Sequence, residues 1–161
     1  TIRPFNTFGP RQSNRAIIPT IITQLLSNKK TIKLGSLYPT RDFIYVKDTV
    51  KGFISVASDT NSIGDVINIG SGYEISIKDL YSLIQSIIKS DTKIIQEKSR
   101  VRPKEGEVNR LKADNKKAKK IVGWSPEYSG KNGLKKALQE TIQWFDNKDN
   151  LKLYKSGLYN I

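Results

Sequence analysis

The chain contains no cysteine, no histidine and no methionine. Without cysteine it can form no disulfide and offers no thiolate to a metal, a usage that fits a cytoplasmic setting. Without histidine it lacks the usual general base at neutral pH, the Ser/His and Cys/His nucleophile pairs, and imidazole metal ligands. Acid–base work would fall to carboxylate, Lys and Tyr. No run approaches the ~20 apolar residues needed to cross a bilayer, so no membrane partner is expected. No secretory signal is visible. Hydrophobic residues make up 37% of the 161, enough for one small core or for one lobe of a larger domain. The first residues, Thr1 to Asn6, already read as a β-branched and aromatic strand running into a turn. Termini are usually frayed unless tied down, so this opening reads as the back part of a longer protein.

What the chain has in excess is positive charge. The formal net charge is +13. Between Lys98 and Lys120 ten Lys/Arg stand against three acids. That segment reads either as a neighbour of an anionic ligand or as a solvated lysine face. A basic nucleic-acid-binding module is the rival reading from another class. Against it, no aromatic residues interleave with the cluster to stack bases, so no nucleic-acid partner is expected.

Hydrophobic periodicity places the elements. Residues 1–6 read as a strand. Ile17, Ile18, Ile21, Ile22, Leu25 and Leu26 form the stripe of a helix over 16–27, with Pro19 in its first turn where a missing N–H costs nothing. Thr31–Leu34 reads as a strand stopped by Gly35, and Asp42–Val46 as another. Asp48 is placed to N-cap a helix through Ser58 that turns Val50, Phe53, Ile54 and Ala57 inward. Val66–Ile69 is a strand closed by Gly70-Ser71-Gly72. Ser76 to Asp79 has capping-box spacing and opens a helix with Leu80, Leu83, Ile84, Ile87 and Ile88 inward. Lys93–Gln96 is a strand, and Asp114 caps a helix ending at Gly123. A last helix runs from Gly133 to Asn147. Strands alternating with helices make the class α/β, in the pattern of a doubly wound sheet's tail with a small α/β lobe.

Three polar clusters carry candidate chemistry. The first is Asn6 with Arg11 to Arg15, between the opening strand and the first helix. Open α/β sheets bind ligands just past strand carboxyl ends, and a helix start presents free N–H groups to an anion. An ordinary turn is the alternative. The second is Pro39 to Asp48, where Arg41 suits bidentate phosphate contact, the alternative being an ion pair with Asp48 that holds the turn. The third is Arg102-Pro103-Lys104-Glu105-Gly106-Glu107. Its cations could clamp a diphosphate and its carboxylates orient ribose hydroxyls. A bare charged loop, or a paired-carboxylate hydrolase site, are the alternatives.

The order of these pieces is more specific than any one of them. Arg3-Pro4-Phe5-Asn6-Thr7-Phe8-Gly9-Pro10-Arg11-Gln12, then Ile17-Ile18-Pro19, Leu34-Gly35 and Arg41-Asp42-Phe43-Ile44-Tyr45-Val46-Lys47-Asp48 resemble the C-terminal half of nucleotide-sugar epimerases and dehydratases. These are the extended short-chain dehydrogenase/reductases, Rossmann-like in fold. Asn68 to Gly72, Arg102-Pro103, Ala113-Asp114 and Val122-Gly123-Trp124 agree, so the resemblance spans nearly the whole chain. Arg11-Gln12-Ser13, Pro19 to Ile22 and Gly35 to Phe43 look most like the NAD-dependent UDP-N-acetylglucosamine 4,6-dehydratases of legionaminic acid synthesis.

The resemblance implies that residues 1–161 are the substrate-binding portion of such an enzyme. Asn6 and Arg15 would lie at the substrate, with Asn6 on the diphosphate. Pro4 and Phe5 would lie near the nicotinamide of NAD. Ile17, Ile18, Pro19, Ile32 and Leu34 would line a nucleobase slot. Arg41 would bind phosphate, with Arg102 or Lys104 as the second phosphate cation and Glu107 on the ribose. The family's catalytic Tyr/Lys pair and its Gly-x-x-Gly-x-x-Gly fingerprint have no counterpart here. No catalytic residue is therefore expected in this chain, which alone should be inactive. The resemblance further implies a nucleotide-sugar partner and a homodimeric, cytoplasmic whole enzyme of bacterial polysaccharide biosynthesis. A 4-epimerase on the same scaffold is the closest alternative.

Overall fold

The computed structural model describes residues 1–27, 30–100 and 108–154. The elements in chain order are β1 (Ile2–Pro4), β2 (Asn6–Phe8), α1 (Ile17–Leu26), β3 (Thr31–Leu34), β4 (Thr40–Tyr45), α2 (Val46–Ser58), β5 (Ile67–Ile69), β6 (Glu74–Ser76), α3 (Ile77–Ile88), β7 (Lys93–Gln96), β8 (Arg110–Leu111), α4 (Lys116–Val122), α5 (Gly130–Asp146) and α6 (Lys148–Lys152). They fall into two compact units. One comprises Thr1–Gly9, Thr40–Ile75 and Arg110–Ala137; the other takes the described parts of Pro10–Pro39, Ser76–Asn109 and Leu138–Ile161.

In the first unit the expected opening strand is two strands with different partners. β1 runs parallel to β5, with Ile2 opposite Ile67 and Pro4 opposite Ile69. Pro4 has no amide hydrogen, and the Phe5 amide closes the pair on the Ile69 carbonyl at 2.9 Å. The chain then changes partner, and β2 runs parallel to β4 with Asn6 opposite Phe43. β6 flanks β4 in the same sheet, and β8 lies parallel to β4 with Arg41 opposite Leu111. Ile44, Val56, Ile67, Ile69, Ala118 and Trp124 form the core, with Ile2, Phe5, Ile121 and Val122 packed against it. Burying one such Ile contributes about 1.5–3 kcal/mol. A second apolar group stacks Phe8, Tyr45 and Tyr128, with centroids 5.6 and 4.7 Å apart.

Helix α2 corrects the sequence reading in two ways. Its N-cap is Tyr45, without a side-chain cap, and Asp48 sits inside the first turn. The Asp48 carboxylate instead accepts the Glu127 and Tyr128 amides at 3.0 and 2.8 Å, fixing the entry to α5. The buried face is Asp48, Thr49, Gly52 and Val56. Val50, Phe53 and Ile54 are 51%, 43% and 61% exposed. The cause is Gly52: a Cβ there would lie 2.7 Å from the Ile69 Cγ2. The missing side chain lets α2 approach β5 closely on that face. Thr49 adds a hydroxyl contact to Thr7 at 3.0 Å.

Helix α4 ends at Gly123 in the left-handed region (φ 63°), as expected. Its N-cap is Asn115, without a side-chain cap, rather than the expected Asp114, which accepts the Lys116 amide at 3.0 Å from just outside the helix. Helix α5 starts at Gly130, earlier than expected. The short β6, β8 and α6 have no clear signature in the sequence.

In the second unit α1 buries Ile18, Ile21, Ile22 and Leu25 and packs on α3 and β3. β3 pairs in parallel with β7, Ile32 opposite Ile94. The Gln24 side chain accepts the Lys33 amide at 2.9 Å and donates to the Lys33 carbonyl at 3.3 Å, tying helix to strand. Ser76 caps α3 as expected, accepting the Asp79 amide at 3.0 Å, while its hydroxyl donates to the Asp79 carboxylate at 2.6 Å. Ile77, Leu80, Tyr81 and Ile84 are its buried residues, while Leu83, Ile87 and Ile88 are half-buried. Leu138, Ile142 and Phe145 of α5 are buried as the pattern required.

Candidate functional site

The carboxyl ends of the parallel pair β1 and β5 carry Phe5-Asn6 and Gly70-Ser71-Gly72. Such ends are where open α/β sheets place ligands. Asn6 is exposed, and its Nδ2 donates to the Asp42 carbonyl at 3.0 Å. Arg41, the next residue along β4, is half-buried, and its Nη1 donates to the Thr40 carbonyl at 2.9 Å. Pro4 is exposed and Phe5 half-buried. Pro4, Phe5, Asn6 and Arg41 thus belong to one unit.

Asn6 and Arg41 both adjoin Asp42, which sequence reading did not single out. It is fully buried. One carboxylate oxygen accepts the Ser71 amide at 2.8 Å and the Ser71 hydroxyl at 2.6 Å. The other accepts the Gly72 amide at 2.9 Å and the Ala113 amide at 3.0 Å. Three main-chain amides and a hydroxyl compensate a buried charge that would otherwise be costly. Gly70 is held by the Asn115 side chain, which accepts its amide at 3.2 Å and donates to its carbonyl at 2.7 Å. A Cβ on Gly70 would lie 2.3 Å from the Ala113 Cβ and 3.2 Å from the Phe5 ring. Glycine is therefore required there by close approach. The signal in the sequence was present but dispersed. The Arg41-Asp42-Phe43, Gly70-Ser71-Gly72 and Ala113-Asp114 pieces of the resemblance meet at this one carboxylate.

Beside it, Glu74 accepts from the Thr40 hydroxyl at 2.6 Å and from Arg110 Nε at 3.1 Å, and pairs with Arg110 Nη2. The Arg110 hydrogen bonds, then that of Thr40, hold the Glu74 pKa down to about 2.

The second unit carries the remaining described candidates. Arg15 is exposed, just ahead of α1, and its amide meets the Ser13 hydroxyl at 3.3 Å. Ile17 opens α1 and is half-buried. Ile18, Ile32 and Leu34 are at most 1% exposed, and Pro19 is buried as well. Those four side chains lie in the buried core, and of the five apolar candidates only Ile17 is partly exposed. Gly35 follows β3 against the backbone of Arg100, where a Cβ would lie 2.2 Å from the carbonyl oxygen. Arg102, Lys104 and Glu107 lie outside the described residues. Among the described residues no group of three or more His, Cys, Asp or Glu could hold a metal ion, and no helix is long and apolar enough to cross a membrane.

The family model for GDP-mannose 4,6 dehydratase matches residues 1–137. The chain belongs to that family. Among curated relatives it is 33% identical over 151 residues to a putative UDP-glucose 4-epimerase of Methanocaldococcus jannaschii, covering 92% of this chain and 46% of the relative. It is 32% identical over 146 residues to the dTDP-D-glucose 4,6-dehydratase of Homo sapiens, covering 89% of this chain and 40% of that protein. Among solved structures, UDP-glucuronic acid 4-epimerase from Bacillus cereus, in complex with UDP-glucuronic acid and NAD, superposes with a TM-score of 0.80. It is 30% identical and covers 95% of this chain and 45% of its own. The chain thus spans about half the length of the family relatives it matches. The parallel α/β architecture is that of the Rossmann-like extended short-chain dehydrogenase/reductases.

The Bacillus cereus structure holds NAD. Pro4 and Phe5 offer an apolar edge beside the Gly70 turn. No Gly-x-x-Gly-x-x-Gly follows a strand to cradle a pyrophosphate.

Proposed function

We propose that residues 1–161 are the substrate-gripping portion of an NAD-dependent nucleotide-sugar 4,6-dehydratase acting on a UDP-N-acetylglucosamine-type substrate. The NAD fingerprint and the catalytic Tyr/Lys pair belong, on this reading, to a segment preceding residue 1. NAD supplies hydride acceptance from C4 and its return to C6, with loss of water across C5–C6 between them. This chain's residues bind and orient. Asn6 and Arg41 hold the diphosphate, Arg102 or Lys104 adds a second cation, Glu107 meets the ribose, and Arg15 and Ile17 border the nucleotide. A grip of this kind aligns the reacting carbons and lowers KM more than it raises kcat.

The observation that carries the reading is Asn6 at the carboxyl end of β1, bonded to the strand that bears Arg41, in a chain matched by the family model. The same reading makes the assembled enzyme a cytoplasmic homodimer of polysaccharide biosynthesis. A 4-epimerase is the second reading, favoured by the epimerases named above. Both use one grip and differ in the catalytic groups.

Calorimetric titration of the chain with UDP, with UDP-N-acetylglucosamine and with a mixed-sequence oligonucleotide tests the grip. UDP should bind, and Arg41→Ala should weaken it by about tenfold to a hundredfold, as loss of a charge-assisted hydrogen bond does, without unfolding the chain. Unchanged affinity would remove Arg41 from the site. Salt-dependent oligonucleotide binding with no UDP heat would replace the reading altogether.

A further inference from the structure

We propose that Asp42 is the positioning residue of the anion grip: it touches no substrate and sets where Asn6 and Arg41 point. This rests on the nucleotide-sugar reading above. A carboxylate offers about four lone-pair sites. In Asp42 all four are taken, two by Ser71, one by Gly72 and one by Ala113. It therefore has no capacity left for a metal, a sugar hydroxyl or a proton in flight. Its partners are two chain segments far apart in sequence, the turn after β5 and the stretch after β8. Between them they clamp β4 at one residue.

That clamp acts on both neighbours in the grip. Asn6 donates to the Asp42 main-chain carbonyl, which leaves the second Nδ2 hydrogen for an anion. Arg41 is adjacent on the strand, so its side chain leaves the opposite face, and its direction follows the rotation of β4 at residue 42. A core that needed only packing would be served by an apolar residue. A buried carboxylate with four neutral donors fixes orientation as well as volume.

Asp42→Asn tests this, because it keeps the shape and turns one acceptor into a donor facing donors. In the unliganded 161-residue chain, the heteronuclear NOE of the Asn6 side-chain amide and of Arg41 Nε–H should fall. UDP affinity should drop by about tenfold, the effect expected when a charged hydrogen bond is misaimed. In an Arg41→Ala background the same change should cost threefold or less, because coupled groups are non-additive. Equal losses in both backgrounds would mean a merely structural residue and overturn the proposal. If Asp42→Asn fails to fold, Ser71→Ala removes the hydroxyl that donates to Asp42 and accepts the Tyr73 amide at 3.1 Å while keeping the Ser71 main-chain donor, and both NOE values should fall with a two- to threefold loss of UDP affinity. Unchanged NOE values in a folded variant overturn the proposal. Absence of UDP binding by the wild-type chain overturns the grip itself and leaves the NOE result to decide whether Asp42 orients Asn6 and Arg41.

Discussion

Replacing Val56 with Ala should destabilise the chain by about 2–3 kcal/mol, whereas Ile54→Ala, two residues earlier, should change stability by less than about 0.5 kcal/mol. Val56 is 8% exposed and packs in the core with Ile44, Ile67 and Ile69. Removing two methyl groups there costs about 0.8 kcal/mol each in transfer, plus a cavity that Ile69 and Trp124 cannot refill. Ile54 is 61% exposed. Its loss removes little burial and gains a few tenths of a kcal/mol of helix propensity. The perturbation discriminates because periodicity alone turns Ile54 inward and leaves Val56 unassigned. Calorimetry on the 161-residue chain should show the melting temperature of Val56→Ala lower by roughly 5–10 °C, at 2–4 °C per kcal/mol for a chain of this size, and that of Ile54→Ala nearly unmoved. A larger loss from Ile54→Ala than from Val56→Ala would refute the packing of α2 on β5 through Gly52.

Two further outcomes are expected. Glu74 should titrate near pH 2 by carbon NMR of its carboxyl, since Arg110 and Thr40 hold its charged form. Its folded pKa lies below the unfolded value, so its contribution to stability is present above about pH 4.5 and is lost as pH falls through 2. Arg110→Met should move the midpoint up towards the usual carboxylate range, and an ordinary midpoint in the wild type would contradict the pair. Tyr81→Phe removes the hydroxyl that donates to the Thr92 carbonyl. Gln85 donates to the same carbonyl at 2.8 Å, so the acceptor stays satisfied and the loss should be about 0.5–1.5 kcal/mol by denaturant melts. A loss above 3 kcal/mol would mean that Gln85 does not back up the bond.

Much of this protein was legible in its residues. The stripe of α1, the Ser76–Asp79 cap and the Gly123 stop are local signals, and local backbone chemistry decided them as the sequence indicated. The α/β class followed from alternation of element types. The family resemblance rested on short motifs in a fixed order, and the family match over residues 1–137 agrees with it.

Tertiary structure decided what depends on a partner distant in the chain. Asp48 has the character of a helix cap, yet two amides about eighty residues away claim its carboxylate. α2 has apolar residues on more than one side, and the close approach that Gly52 allows to Ile69 selects which side is buried. The opening strand divides because Pro4 ends one ladder and Asn6 begins another. Above all, no spacing rule could have joined residues 42, 71, 72 and 113. Sequence determined which side chains were available for binding. Long-range hydrogen bonds to one buried carboxylate, whose charge must be compensated wherever the chain can supply donors, decided how they are held.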